Sequence, residues 1–285
     1  MDIALLTYAE APTLPPDDHH LLAPLRARGL TPHAVVWDAP EVDWSRFRLA
    51  VVRGTWDYFV KPQAFGQWLQ KVEVQVELYN PPALLRWNAH KGYLQQLAEA
   101  DVPVTPTRLC RKGASRPASL AALADERGWE QVVVKPAVSG GGRLTRLFSR
   151  AEHAHAGQEH LEAVLDEGDA LVQPFLRSLH EEGERSYVFI DGAFSHAVVR
   201  PPTMGAQSLP DGYPLAPRAD ELQLALRALR AAPTRTLYAR VDVATGAEGN
   251  PVLQELEVIE PRLFFASAPA SAERLADAIL ARAKR

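Results

Sequence analysis

Ile3-Ala4-Leu5-Leu6-Thr7 is an apolar run closed by one hydroxyl, the pattern of a short strand buried on both faces. Leu21 to Gly29 reads as a helix, with Asp17 and Asp18 near its start and Gly29 as its stop. Pro32 to Trp37, carrying β-branched Val35 and Val36, and Leu49 to Arg53 read as two further strands. Strand, helix, strand, strand is the rhythm of a parallel α/β unit, which binds ligands beyond the C-terminal ends of its strands. The segment Arg53-Gly54-Thr55-Trp56-Asp57-Tyr58 falls at such an end.

Pro81-Pro82 reads as a linker. Beyond it, His90 to Ala100 has helical spacing, with Tyr93, Leu94, Leu97 and Ala98 on one face and Lys91 near its start. Leu120 to Arg127 is a helix ended by Gly128, and Glu159 to Glu167 is another. Strands are expected at Gln131 to Lys135, Leu144 to Phe148 and Ala170 to Phe175. Asp191-Gly192 between Arg185–Ile190 and Ala193–Arg200 predicts a hairpin with a type I′ turn. Pro201 to Pro217, rich in Pro and Gly, reads as a mobile loop. Asp220 to Ala231 is a helix, Tyr238 to Val243 and Pro251 to Ile259 are paired strands, and Ser271 caps a last helix to Lys284.

Composition narrows the function. The chain has 285 residues, a net charge of −4 and 47% hydrophobic residues, so it folds and has no global basic surface for nucleic acid. One cysteine excludes an intramolecular disulfide and a cysteine-cluster metal site. No apolar stretch reaches the ~20 residues of a membrane span, and the first residues lack a basic leader, so a cytoplasmic location is expected. P-loop, G-x-G-x-x-G, H-E-x-x-H and G-x-S-x-G patterns are all absent.

Three segments carry candidate chemistry. Val132-Val133-Val134-Lys135 delivers a lysine to the loop Pro136 to Arg143, where Ser139, Gly140, Gly141 and Gly142 let backbone N–H groups approach phosphate closely. The plain alternative is a hairpin loop edged by a lysine. Leu171-Val172-Gln173-Pro174-Phe175-Leu176 ends an apolar strand on proline, a hinge able to offer backbone groups to a planar base. Acidic Glu181, Glu182 and Glu184 follow, and an edge strand running into an acidic loop explains the same pattern. Glu255 and Glu257 share one face of a strand and repel unless a cation lies between them. With Asp242 alongside they form a hard-oxygen set suited to Mg²⁺, or else a solvated strand paired with arginines.

In this order and spacing, Lys91, Lys135 with its glycine loop, Gln173 to Leu176, Glu184, Arg200, Asp242 and the E-x-E pair Glu255/Glu257 resemble the ATP-grasp superfamily. R-G-T-W-D-Y and E-L-E-V-I-E-P-R-L-F-F resemble its prokaryotic glutathione synthetase-like and cycloserine-biosynthesis-ligase-like group. The resemblance covers residues 81–285. It implies an α/β (α+β) ATP-grasp fold, with a Rossmann-like pre-ATP-grasp domain at 1–82 and an ATP-grasp domain at 83–285. The latter would divide into a lid near 104–172 and a metal-bearing subdomain near 173–285, with ATP between them.

Carried over by residue, the resemblance implies that Lys91 and Lys135 contact ATP phosphates and that Ser139 to Gly142 close over them. Backbone around Gln173, Pro174 and Phe175 would read adenine, and Glu184 would hold ribose. Asp242, Glu255 and Glu257 would hold two Mg²⁺ ions, and Arg200 would stabilise the transferring phosphoryl group. The implied reaction is carboxylate–amine ligation through an acyl phosphate, on small amino-acid-like substrates, in a possible homo-oligomer. Phosphoryl transfer to a hydroxyl, or nucleotide binding without turnover, are the alternatives. Glu257 stands where the family commonly has asparagine, Glu260 is a rival ligand, and the loop Pro201 to Pro217 lacks the basic D-F-R-like segment of many relatives. For substrate, Arg53 and Arg262 are candidate carboxylate binders and Asp57 a candidate ammonium binder. Alternatively Trp56 and Tyr58 anchor a domain interface, with Asp57 paired to Arg53.

Overall fold

The structure, a computed structural model, describes residues 1–114, 119–201 and 212–285. Its strands, in chain order, are β1 (Asp2–Thr7), β2 (Thr31–Val36), β3 (Leu49–Val52), β4 (Leu78–Tyr79), β5 (Arg108–Cys110), β6 (Gln131–Pro136) and β7 (Arg146–Ser149). Then come β8 (Ala170–Pro174), β9 (Glu184–Ile190), β10 (Ala193–Arg200), β11 (Tyr213–Leu215), β12 (Tyr238–Thr245) and β13 (Pro251–Glu257). The α-helices are α1 (Leu22–Ala27), α2 (Pro62–Val72), α3 (Pro82–Asn88), α4 (Tyr93–Glu99), α5 (Leu120–Arg127), α6 (Ala156–Glu167), α7 (Arg177–Glu181), α8 (Ala219–Ala231) and α9 (Ala270–Ala283).

A parallel sheet of order β2-β1-β3-β4 opens the chain. Its alternate residues feed two cores, which is why β1 is apolar almost throughout. Ile3, Leu5, Leu49 and Val51 pack with Leu25 of α1 and with Leu275 and Ile279 of α9. Ala4, Leu6, Ala50 and Val52 pack with Trp37 and with Phe65, Trp68 and Leu69 of α2. The last helix thus returns to cover the first sheet, and Arg28 ties the two by ion pairs to Glu273 (2.6 Å) and Asp277 (2.7 Å).

The second sheet, β5-β8-β6-β7, is antiparallel and packs on α5 and α6 through Val132, Val134, Phe148, Leu161 and Val164. The third, β11-β10-β9-β12-β13, is also antiparallel. One of its faces, with Tyr187, Phe189, Ala239, Val241 and Val243, lies under Leu224, Ala225 and Ala228 of α8. The opposite face is divided along its length. Val188, Ile190, Val198 and Tyr238 join the core shared by β1 and α9. Further along the same strands stand Glu184, Ser186, Arg200, Arg240 and Asp242.

Asp191 and Gly192 both have positive φ (52° and 76°), as a type I′ hairpin requires. Four readings of the sequence are corrected. Pro81-Pro82 is no linker: Pro82 opens α3, because proline lacks only an N–H that the first helical turn leaves unbonded anyway. Lys91 lies in the turn before α4, not on the helix, held by its backbone N–H to the Ala137 carbonyl (2.7 Å). Ser271 sits inside α9, and its hydroxyl donates back to the Ala268 carbonyl (2.6 Å) instead of capping. Within the expected loop Pro201 to Pro217, Tyr213–Leu215 is an edge strand on β10, whereas 202–211 lie outside the described residues.

Candidate active site

Strand register gathers the charges. Asp242 is directly opposite Glu255, Arg240 opposite Glu257, and Arg200 opposite Glu184. Directly opposed residues have Cβ atoms about 4.5–5.5 Å apart, so two carboxylates at such a pair must be neutralised. Here cationic side chains do it. Arg240 donates to both Asp242 oxygens (2.9 and 3.2 Å from Nε, 2.9 Å from Nη2) and to Glu257. Arg200 bonds Glu184 and reaches Asp242 at 3.1 Å, while its buried Nε has no partner among the described residues. Lys91 pairs with Glu255 at 2.6 Å. Ser186, opposite Asp242 on its other side, donates to Oδ1 at 2.6 Å.

These pairings set the protonation of the cluster. Burial opposes the charge on Asp242, but Arg240 and Arg200 prevail and hold its carboxyl below the ordinary value. Burial likewise opposes Glu255, and Lys91 and Lys135 hold it low. Glu257 goes the other way: burial, with Asp242 and Glu255 nearby, outweighs Arg240 and pushes it up to about 7. Burial and the charges of Glu257 and Glu255 push Glu260 well above the carboxylate range, and burial also raises Glu184.

Lys135 ends β6 facing this cluster. It is buried, and among the described residues no acceptor hydrogen-bonds its ammonium; burial depresses its pKa although Glu255 and Glu184 favour the charge. Lys91 is equally buried, yet Glu255, Glu257 and Glu260 overcome burial and keep it firmly charged. Its Nζ also donates to the Ser139 carbonyl (2.8 Å), which ties the glycine-rich loop to the cluster. Gly141 and Gly142 adopt positive φ (59° and 73°), a conformation that glycine takes without a Cβ penalty.

At the hinge, Gln173 is buried and donates to Thr107 (2.7 Å). The Phe175 N–H is already donated to the Gln131 carbonyl (2.9 Å), so it is not free for a base as expected. Glu184 is grouped with Arg200 and with the carboxylates Asp242 and Glu255, and its contact with Arg200 competes with any ribose hydroxyl.

Two sets of functional residues escape the sequence reading. Arg240 is not among its catalytic candidates, though its place two residues before Asp242 on one strand face is the available signal. The second set seals β13, the edge strand that carries Glu255 and Glu257. Tyr93 Oη donates to the Leu256 carbonyl (2.9 Å) and accepts from its N–H (3.0 Å). Asn88 donates to the Leu256 carbonyl (2.7 Å) and accepts from the Val258 N–H (3.1 Å), and Asn80 donates to the Val258 carbonyl (2.7 Å). Around Leu256 side chains thus stand in for a neighbour strand, while at Leu253 the Pro103–Thr105 backbone bridges the edge, a pattern no local periodicity announces.

Asp242, Glu255 and Glu257 present only hard oxygen donors, and burial together with the neighbouring carboxylates raises Glu257, so the set suits a divalent cation. Among the described residues no three His, Cys, Asp or Glu side chains converge as a finished metal cage. The ion pairs show how the carboxylates are held instead: Asp242 and Glu257 are both drawn to Arg240, and Glu255 to Lys91.

The expected substrate segment is divided between anchors. Arg53 is 1% exposed, pairs with Asp18 (2.8 Å), donates to the Pro261 carbonyl (2.9 Å) and stacks on Tyr238; it does not pair with Asp57. Asp57 instead accepts from Trp37 Nε1 (2.7 Å) and Lys61 (2.6 Å), which occupies both of its oxygens. Trp56 Nε1 donates to the Glu260 carbonyl (3.1 Å), and Tyr58 is buried beside Phe65. Arg262 lies over the Phe264 ring (5.5 Å), on which Arg240 also lies (5.8 Å).

Residues 3–80 match the family described as D-cycloserine synthetase DcsG, N-terminal domain. The whole chain is similar to the cycloserine biosynthesis protein DcsG of Streptomyces lavendulae, 31% identical, with 99% of each chain covered. The crystal structure of D-cycloserine synthetase DcsG superposes with a TM-score of 0.89 at 28% identity, covering 99% of this chain and 100% of that one. An ATP-grasp RimK domain protein from Sphaerobacter thermophilus gives 0.71 at 21% identity, over 97% and 98% of the two chains. D-alanine–D-alanine ligase from Bacillus anthracis gives 0.69 at 14% identity, over 100% and 98%; these last two show the fold alone.

Proposed function

The chain belongs to the DcsG group of ATP-grasp ligases, and from that premise we propose how its charged sheet face couples a carboxylate to an amine. The enzyme is an ATP-dependent carboxylate–amine ligase. The observation that carries the proposed arrangement is Lys135, a largely buried side chain beside Glu255 and Glu184 whose ammonium has no hydrogen-bond partner among the described residues. Such a group is costly unless an anion arrives, and a phosphate oxygen is the anion that the adjoining glycine loop is built to admit.

A carboxylate is a poor acyl donor because its leaving group is oxide. Its oxygen attacks the γ-phosphorus of ATP, the bond to the β-phosphate bridging oxygen breaks, and ADP leaves. The amine then attacks the acyl carbon, phosphate departs, and the nitrogen loses a proton. Lys135 and Lys91 bind phosphate oxygens, while Arg200 and Arg240 face the transferring phosphoryl group and stabilise its spreading charge. Hinge backbone groups between Gln173 and Phe175 that the β6–β8 ladder does not use would contact the adenine. Asp242, Glu255 and Glu257 would hold Mg²⁺, which when bound neutralises phosphate charge. Holding acid and phosphoryl group in line supplies the remainder of the rate enhancement.

A second reading concerns the substrates. Full-length similarity to a D-cycloserine synthetase favours an acid and a nucleophilic nitrogen within one small amino-acid-like molecule, because the cycloserine ring contains a carboxyl-carbon–nitrogen bond. ADP release with Mg·ATP, measured over amino acids singly, in pairs, and as single compounds bearing both groups, tests both readings. One ADP per new amide is expected. A stable phosphate ester with one hydroxyl compound would make the protein a kinase, and ATP binding without turnover on any acceptor would favour a nucleotide sensor.

A further inference from the structure

Gly140 differs from its neighbours in the glycine-rich loop. Gly141 and Gly142 have left-handed backbones, but Gly140 does not, so its own conformation admits any residue. Its surroundings do not. A Cβ built there would lie 2.6 Å from Cε1 and 2.7 Å from Cδ1 of Phe59, closer than two carbons can approach. Position 140 is glycine because an aromatic ring of the N-terminal sheet's following segment is pressed against the loop.

That ring is firmly mounted. Phe59 packs edge-on to Tyr58 (centroids 5.7 Å apart), and Tyr58 is buried against Phe65 of α2 (5.0 Å). Val138, at the start of the loop, joins the same apolar cluster. On its other side the loop is pinned by Lys91, through the Ser139 carbonyl at 2.8 Å. Three residues before Phe59, Trp56 bonds the Glu260 carbonyl, just past the strand that carries the metal-type carboxylates. One short segment therefore touches both the phosphate loop and the exit of β13.

We infer that Phe59 is a positioning residue that seats the glycine-rich loop over the transferring phosphoryl group and so keeps water from the acyl phosphate. This rests on the reading of that loop as the phosphate cover. If water enters, its oxygen bonds to the phosphorus or acyl carbon, the mixed anhydride breaks to carboxylate and inorganic phosphate, and ADP forms without amide. A packing role alone would lower thermal stability and leave the ratio of ADP to amide untouched.

The test measures that ratio and the ATP KM on the full chain, with the substrates found by the ADP-release panel. Phe59→Ala should release ADP in several-fold excess over amide, and Phe59→Tyr, which keeps the ring, should restore the one-to-one ratio. Gly140→Ala should raise the ATP KM on the order of tenfold by unseating the loop. In the Phe59→Ala background the same substitution of Gly140 should cost far less, because the obstructing ring is gone. A one-to-one ratio in Phe59→Ala, or an equal effect of Gly140→Ala in both backgrounds, overturns the inference. Lys135→Ala separates the two levels: wild-type ATP affinity in that variant overturns the phosphate-loop reading itself, and with it the role of Phe59.

Discussion

At the scale of single residues, the site packs carboxylates, arginines and lysines together on one buried sheet face. Lys135 is buried with no hydrogen-bond partner for its ammonium among the described residues, and Glu257 is held up to about 7 by burial and by its carboxylate neighbours. A carboxyl raised in the folded protein binds more protons folded than unfolded between its ordinary value and about 7. Its contribution to stability is therefore full at low pH and is lost as pH rises through 7. Cation binding has the opposite preference, because it needs the carboxylate form. The stabilisation of the protein by added Mg²⁺, read as a thermal shift, should be larger at pH 8 than at pH 6. An equal shift at both values would remove Glu257 from the cation site. Residue types at this scale were readable in the sequence: Lys135, Asp242, Glu255 and Glu257 all meet on or beside one sheet face. Their partners were not. Arg53 pairs with Asp18 rather than Asp57 because a fold-back places the short helical turn after Pro15 against the end of β3, a contact of long sequence separation.

Among elements, β13 positions two of the three metal-type carboxylates without a strand on its outer side. On that side the Pro103–Thr105 backbone bridges Leu253, Tyr93 and Asn88 bond Leu256, and Asn88 and Asn80 bond Val258 just beyond the strand. In Tyr93→Phe the Leu256 carbonyl keeps its bond from Asn88, but the buried Leu256 N–H loses its acceptor. The expected cost is about 1–3 kcal/mol, measured by urea unfolding. A wild-type midpoint would show that another group takes the acceptor's place. Elements with strong local signals were legible from sequence: the Asp191-Gly192 hairpin, the helix ended by Gly128, and the paired strands Tyr238–Thr245 and Pro251–Glu257. Helix α2 was equally legible, though the sequence reading passes over it: Phe65, Trp68, Leu69 and Val72 form an apolar stripe at helical spacing, with Gln67, Gln70 and Lys71 off that stripe. Helix α3 is hidden when Pro82 is read as a breaker, since it serves as a starter.

Across the whole molecule, the first sheet, the charged sheet and the last helix share one apolar core. That core explains why one end of the charged sheet's inner face is apolar and the other polar: the apolar end is sealed against β1 and α9, and the polar end faces Lys135 at the end of β6. No described helix is long and apolar enough to cross a membrane. The arrangement brings the lysines, the arginines and the glycine loop to one place, as activation of a carboxylate by ATP demands. Transfer of oxygen tests this most directly. The acid substrate, labelled with ¹⁸O in its carboxylate, is turned over with Mg·ATP and the amine, and the released phosphate is examined by mass spectrometry. Attack of the carboxylate on the γ-phosphorus carries one labelled oxygen into the phosphate for each amide formed. Phosphate free of the label, with amide still produced, would contradict the acyl phosphate and the mechanism built on it.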